Sequence, residues 1–183
     1  MSKDKLYQMR PDVYMDGLKR LIQYVNSKTP TKNMEMIEIG SYAGESSELF
    51  AQNFKNVICI DPYLDDYDVN DITCSFAQMS EVRKVFEKRV SIYNNISLIP
   101  LLSDDAINVL IEGKKFDFVY IDGMHTYEQI KKDITNYLPL IKEGGFIAGH
   151  DFHQVYQGII DGVRELLGDP DAVFQDTSWI KKI

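Results

Sequence analysis

Apolar side chains recur along this chain in two rhythms. Near its start Val13, Leu18, Leu21, Ile22 and Val25 fall close to a 3.6-residue period, which predicts an amphipathic helix over residues 12–25. After Thr29-Pro30-Thr31 short apolar runs alternate with amphipathic stretches. The short runs predict strands over residues 34–39, 57–60, 96–101, 116–121 and 146–148. The stretches between them predict helices over residues 45–53, 76–89, 104–111, 127–138 and 159–167. Residues 172–175 and 178–183 read as two more short strands. Thr126-x-x-Gln129 is a capping-box pattern at the start of one helix. Gly144-Gly145 predicts that another ends in a left-handed turn.

Repeated strand–helix units build a parallel sheet with helices on both faces, because right-handed crossovers pack no other way. With the two final strands antiparallel, the expected fold is a doubly wound α/β domain with a mostly parallel sheet. Ligands in such sheets bind beyond the carboxyl ends of the strands. No repeat, low-complexity tract or linker interrupts the pattern. One domain over residues 1–183 is therefore expected, with residues 1–33 as a helical extension.

At 183 residues and 44% hydrophobic, the chain can bury a full core. Its net charge of −8 argues against nucleic acid and anionic membranes as partners, since both attract basic surface. A small-molecule partner is expected instead, and association with a second copy stays open. The start of the sequence is polar and of mixed charge, unlike a signal peptide, and no apolar run approaches ~18 residues, so a cytoplasmic location is the expectation. Cys59 and Cys74 lack metal-ligand spacing, and Cys59, inside an apolar strand, is expected to be a buried thiol.

The chemistry gathers at the predicted strand ends. The first strand runs through Glu38 into Gly40-Ser41-Tyr42-Ala43-Gly44, a turn that lets backbone approach a ligand closely. Its spacing is not the dinucleotide G-x-G-x-x-G and suits a nucleoside without a pyrophosphate. The second strand ends at Asp61, about twenty positions on, where a carboxylate accepts hydrogen bonds from ribose hydroxyls or simply closes a turn before Pro62. Ser103-Asp104-Asp105 after the third would contact a base, cap a helix, or do both. The fourth runs into Asp122-Gly123-Met124-His125 and the fifth into His150-Asp151-Phe152-His153, so all three histidines fall at two strand tips expected to be neighbours. Asp122, His150 and Asp151 would supply a mixed nitrogen and oxygen metal set. The alternative is that Asp151 caps a helix and His150 and His153 are solvated. The segment 62–73, rich in Asp and Tyr, suits an acceptor site or a solvated loop.

With these residues in hand, the chain resembles the class I S-adenosylmethionine-dependent methyltransferases. It is most similar to the metal-dependent O-methyltransferases of the catechol O-methyltransferase kind and to natural-product and sugar O-methyltransferases. The motif Glu38-Ile39-Gly40-Ser41-Tyr42-Ala43-Gly44-Glu45-Ser46, with tyrosine in place of a middle glycine, carries the likeness, as do Ile121-Asp122-Gly123-Met124-His125-Thr126-Tyr127, Gly144–Phe152 and Trp179. The resemblance implies a Rossmann-like seven-stranded sheet and S-adenosyl-L-methionine as cofactor. Glu38, Gly40, Ser41, Tyr42, Gly44 and Ser46 would hold its amino-acid end. Asp61 would bind the ribose, and Ser103 and Asp104 would lie along the adenine. Asp122, next to the cofactor, would ligate a divalent metal (Mg, Mn or another) together with His150 and Asp151.

His125 stands where the catechol enzymes carry a catalytic lysine and is the candidate general base, with Asp122 as its catalytic partner. The family presents a carboxylate where this chain has His150, which leans the site from magnesium towards manganese, iron or zinc, or towards no metal. The reaction implied is methyl transfer to a hydroxyl of a small molecule, metal-assisted. Three rival readings are a non-catalytic binding or regulatory module on the same fold, a metal-free methyltransferase using His125 and His153, and an NAD-dependent oxidoreductase. The missing dinucleotide spacing counts against the last.

Overall fold

The computed structural model describes Tyr7 and residues 10–65, 78–110 and 113–183. Its centre is a seven-stranded sheet of β1 (Glu35–Ile39), β2 (Asn56–Ile60), β3 (Ile96–Ile99), β4 (Phe116–Ile121), β5 (Ile141–Gly149), β6 (Ala172–Val173) and β7 (Trp179–Lys182), in the order β3-β2-β1-β4-β5-β7-β6. The first five are parallel, and β7 runs antiparallel to both β5 and β6. Among the described residues the α-helices are α1 (Asp12–Lys28), α2 (Glu45–Asn53), α3 (Met79–Val90), α4 (Ser103–Ala106), α5 (Tyr127–Tyr137) and α6 (Gln157–Leu167).

Strand alternation sorts the core into two layers. Met36, Val57, Cys59 and Tyr120 face Leu18, Leu21 and Val25 of α1, Phe50 of α2 and Phe86 of α3. Ile37, Ile39, Val119 and Ile121 face Ile130 and Ile134 of α5 and Ile159 and Val163 of α6. Helices on both faces are the doubly wound arrangement, and they leave the carboxyl ends of β1, β2, β4 and β5 at one rim of the sheet.

Two local expectations change. Gly144-Gly145 does not end a helix. Pro139 carries no N–H and stops α5 from continuing, a short 3-10 turn (Leu138–Leu140) follows, and β5 has already begun at Ile141. The two glycines sit inside β5 at a register shift: Phe116 pairs with Ile141 but Phe118 pairs with Phe146. A Cβ on Gly145 would lie 2.8 Å from the carbonyl oxygen of Asp117, so only glycine lets the bulge close against β4. The helix expected over residues 104–111 is a single turn, α4. The start of the helix expected from residue 76, most of the loop 62–73 and Cys74 lie outside the described residues. The Thr126 cap is present, its Oγ1 accepting from the Gln129 amide at 3.2 Å. No helix among the described residues is long and apolar enough to cross a membrane.

Candidate functional site

Backbone pairing continues past the strands and draws their exits together. Gly40 N–H donates to Ile60 O at 2.8 Å, Asp122 N–H to Ile39 O at 2.8 Å, and His150 N–H to Ile121 O at 3.0 Å. Gly40 has φ +83°, and a Cβ there would lie 1.9 Å from the Asp122 carbonyl oxygen. Glycine is therefore required where the first turn meets the tip of β4. Above these tips lies a cavity of about 310 Å³. It is lined by Gly40, Ser41, Tyr42, Ser46, Asp61 and Ser103 of the expected cofactor residues, and by Asp122, His125, His150 and Asp151. The glycine turn and the acid–imidazole group thus share one crevice.

Three expected residues do not line it. Glu38, in the middle of β1, points by strand parity into the helical layer under α2. There it is 0% exposed and accepts from the hydroxyls of Ser41 (3.2 Å), Ser46 and Ser47 and from the Cys59 thiol (3.2 Å). Burial pushes its pKa up, partly offset by those donors. Glu38 is a clamp between β1 and α2, not a wall of the crevice. Gly44 caps α2 with φ +80°. Asp104 turns away towards Lys132 and Gln129, 3.3 Å from each.

The polar atoms of the first turn are largely engaged within it. Asp61 accepts from the amides of Ser41 (3.0 Å) and Tyr42 (2.8 Å) through one oxygen and from Tyr63 (3.0 Å) through the other. Burial raises its pKa against these three donors. The Cys59 thiol is buried as expected, and burial pushes it well above its ordinary value.

The opposite rim is built from charges brought from distant positions. His125 Nε2 lies 2.8 Å from Asp151 Oδ2 and 3.9 Å from Asp122 Oδ1. His150 Nδ1 lies 3.0 Å from Asp151 Oδ1 and 3.8 Å from Asp122 Oδ1, while its Nε2 is buried without a hydrogen-bond partner. Burial works against charge on His125, but its hydrogen bonds to Asp122 and Asp151 win and push it up to about 11. Burial likewise opposes ionisation of Asp122, and Arg10, His150 and His125 together hold it below its ordinary value. Asp151 adopts φ +62°, a conformation a non-glycine residue avoids unless its surroundings impose it. Trp179, fully buried beside Gly149, supports that bend from β7.

Two assignments shift. Among the described residues, the groups that converge tightly enough for one ion are Asp122, His125 and Asp151, each offering an atom within 4.8 Å of the others. Of the three expected together, Asp122 and Asp151 fall in this group, with His125 rather than His150 as the imidazole beside them. His153 is outside the cavity; it is exposed and accepts from the Val155 amide at 3.3 Å to cap a short turn.

Arg10 was not singled out by the sequence. Its guanidinium pairs with Asp122, reaches the Tyr120 hydroxyl at 3.5 Å and lies 3.9 Å from Asp176, while its backbone N–H donates to Glu45 at 3.0 Å. Tyr120 and Asp176 meet again at Ser178, whose Oγ is 3.1 Å from the tyrosine hydroxyl and 2.7 Å from the carboxylate. No local pattern announces this network, because Arg10 and Asp122 are far apart in sequence. Tyr14 and Tyr156 also line the cavity. The Tyr156 ring lies 5.2 Å from His125, and the Tyr14 ring 6.3 Å from His150.

Comparison with known proteins bears on the fold and the family. A 147-residue stretch is 29% identical to an uncharacterised protein of Acanthamoeba polyphaga mimivirus, covering 76% of this chain and 62% of that one, so the chain spans under two thirds of that relative. Among solved structures, cofactor-bound Rv0187 from MTB has a TM-score of 0.67 at 16% identity, over 97% of this chain and 84% of that one. The O-methyltransferase from Bacillus cereus in complex with SAH has 0.64 at 14% identity, over 95% and 81%. A TDP-rhamnose 3′-O-methyltransferase of calicheamicin biosynthesis has 0.61 at 14%, over 92% and 76%. At such identities the likeness is one of fold. The sequence profile of the methyltransferase domain matches residues 37–152, from the first strand to the acid–imidazole rim, and the chain belongs to that family.

Proposed function

We propose that this protein transfers a methyl group from S-adenosyl-L-methionine to a hydroxyl of a small molecule. The observation that carries the reading is one cavity with the glycine turn and Asp61 on one rim and Asp122, His125 and Asp151 on the other. A carboxylate has about four acceptor sites. With three amides on Asp61, a ribose hydroxyl can take the place left. The turn would carry the amino-acid end of the cofactor, its shape held by Asp61 from within and by Glu38 from below. A sulfonium is already a strong electrophile, so the chain's task is to align donor and acceptor.

The acceptor hydroxyl would lie against the acid–imidazole rim, between Tyr14 and Tyr156 at the mouth. Asp122, His125 and Asp151 fit a divalent ion in number, donor type and spacing, and the imidazole favours manganese, iron or zinc over magnesium. When bound there, such an ion supplies Lewis-acid polarisation that makes a hydroxyl acidic near neutral pH. Arg10 holds the far oxygen of Asp122 and keeps its near oxygen aimed into the crevice. As long as His125 is shared with Asp151 it is an imidazolium and cannot accept a proton. Its work as ligand or as base begins when that proton leaves.

Formation of S-adenosylhomocysteine (SAH), followed over a panel of sugars, catechols and other polyols with each divalent ion and with chelator, tests the proposal. Turnover with at least one acceptor is expected, and Asp122→Ala should abolish it while SAH still raises the melting temperature. Full turnover by that variant would sink the metal-assisted step. A second reading, a non-catalytic module, is favoured by Arg10 and the two imidazoles already compensating the carboxylates. It requires SAH binding without turnover on any acceptor.

A further inference from the structure

We infer that Tyr63 is a positioning residue for the ligand at the first turn: its hydroxyl holds Tyr42 in a strained backbone conformation on which the shape of that turn depends. This rests on the S-adenosyl ligand proposed above.

The turn bends through left-handed backbone at every second residue, with φ +83° at Gly40, +41° at Tyr42 and +80° at Gly44. The two glycines enter that region without steric cost, but a tyrosine does not. It stays there only when its surroundings over-determine it. Asp61 supplies half of the restraint, since its Oδ2 accepts from the Tyr42 amide at 2.8 Å. Tyr63 supplies the other half, its hydroxyl donating to the Tyr42 carbonyl at 2.8 Å. The φ and ψ of Tyr42 lie between those two anchored peptide groups, so neither anchor fixes them alone. Both anchors come from the exit of β2, where Asp61 Oδ1 also accepts from the Tyr63 amide at 3.0 Å.

The brace is itself well supported. Tyr63 is buried, is left-handed at φ +49°, and packs its ring on Phe86 of α3 with centroids 6.0 Å apart. The same Phe86 closes on Gly44, where a Cβ would lie 2.9 Å from its ring. One helix thus backs both the turn and the residue that braces it. Burial, with Asp61 beside it, pushes the Tyr63 phenol well above its ordinary range, so the hydroxyl stays a donor. Tyr42 and Tyr63 both line the cavity. Without the hydroxyl, Tyr42 is free to relax to negative φ, and the turn loses the shape that a ligand meets.

Calorimetric binding of SAH to the full chain, over a double-mutant cycle of Tyr63→Phe and Tyr42→Gly, tests this. Tyr63→Phe keeps the ring on Phe86 and should weaken SAH by about tenfold, an ordinary cost for one lost hydrogen bond. In the Tyr42→Gly background, where left-handed backbone needs no brace, the same change should alter affinity by less than about twofold. A hydroxyl that served only the core would cost the same in both backgrounds. Equal losses in both, no loss in either, or a Tyr63→Phe chain that no longer folds overturns the inference and leaves the cofactor reading intact. Wild type that does not bind SAH overturns the cofactor reading and this inference with it.

Discussion

The two rims of the cavity are held by different physics. On the first, Glu38, Ser41, Ser46, Ser47, Cys59 and Asp61 satisfy one another through hydroxyls, a thiol and amides, within a span of 24 residues (38 to 61). On the second, Arg10, Asp122, His125, His150, Asp151 and Asp176 meet from four separate parts of the chain. They are ion-paired in the interior, with a non-glycine residue at φ +62°. The first rim is a cradle of fixed shape whose polar atoms are mostly spent. The second concentrates charge that a ligand can reorganise. That contrast is what the proposed methyl transfer would use: one side to place the donor, the other to act on the acceptor.

The largest effect should come from Arg10. Replacing it by Met takes the guanidinium from Asp176 and leaves Asp122 only the more distant imidazoles, and loss of one partner of a buried pair costs about 3–5 kcal/mol. Urea denaturation measures it, and a loss under 1 kcal/mol would mean the second rim does not depend on that charge. Next comes Asp133, near the first rim. Its pKa is raised from an ordinary 3.8 to about 6 by burial, with the hydrogen bonds from Ser103 and Gln129 opposing, Asp104 adding and Lys132 opposing.

Between those values the folded state binds the extra proton, so stability should fall as pH rises from about 4 to about 6 and stay lower above. The two-unit shift corresponds to roughly 3 kcal/mol. In Asp133→Asn that slope should vanish from the pH dependence of unfolding; an unchanged slope would assign it to other carboxylates.

Smaller again, Glu38→Ala strands three hydroxyls and a thiol in the core. About 2 kcal/mol should be lost, with SAH affinity falling because the turn loosens rather than because a contact disappears. Restoring acceptors with Glu38→Gln should recover most of both. The smallest effect belongs to Thr126→Ala, which removes the cap of α5 at about 1 kcal/mol and should leave ligand binding unaltered.

How far each rim was legible follows from its construction. Glycine spacing, the acid about twenty residues on and the alternation of apolar runs are short-range signals, and they placed β1, α2, β2 and β4 to within a residue or so. The capping box at Thr126 was equally readable. Gly144-Gly145 misled because a glycine pair after a helical stretch marks either a helix end or a bulge, and only pairing with β4 selects between them.

At the site, the chain's own pattern was enough to name Asp122, His125, His150 and Asp151 and to put them beside the glycine turn, since strand order follows from βα repetition. It could not say which imidazole converges with the two carboxylates. That depends on the unusual bend at Asp151, imposed by Gly149 and Trp179 across β5 and β7. Nor could it show that Glu38 turns beneath the crevice, or that Arg10 reaches Asp122 and Asp133 joins the wall. A strand's period says which face a side chain takes, but not what a distant segment lays against it. Charges paired across a hundred residues leave no local rhythm, and folding alone brings them within reach.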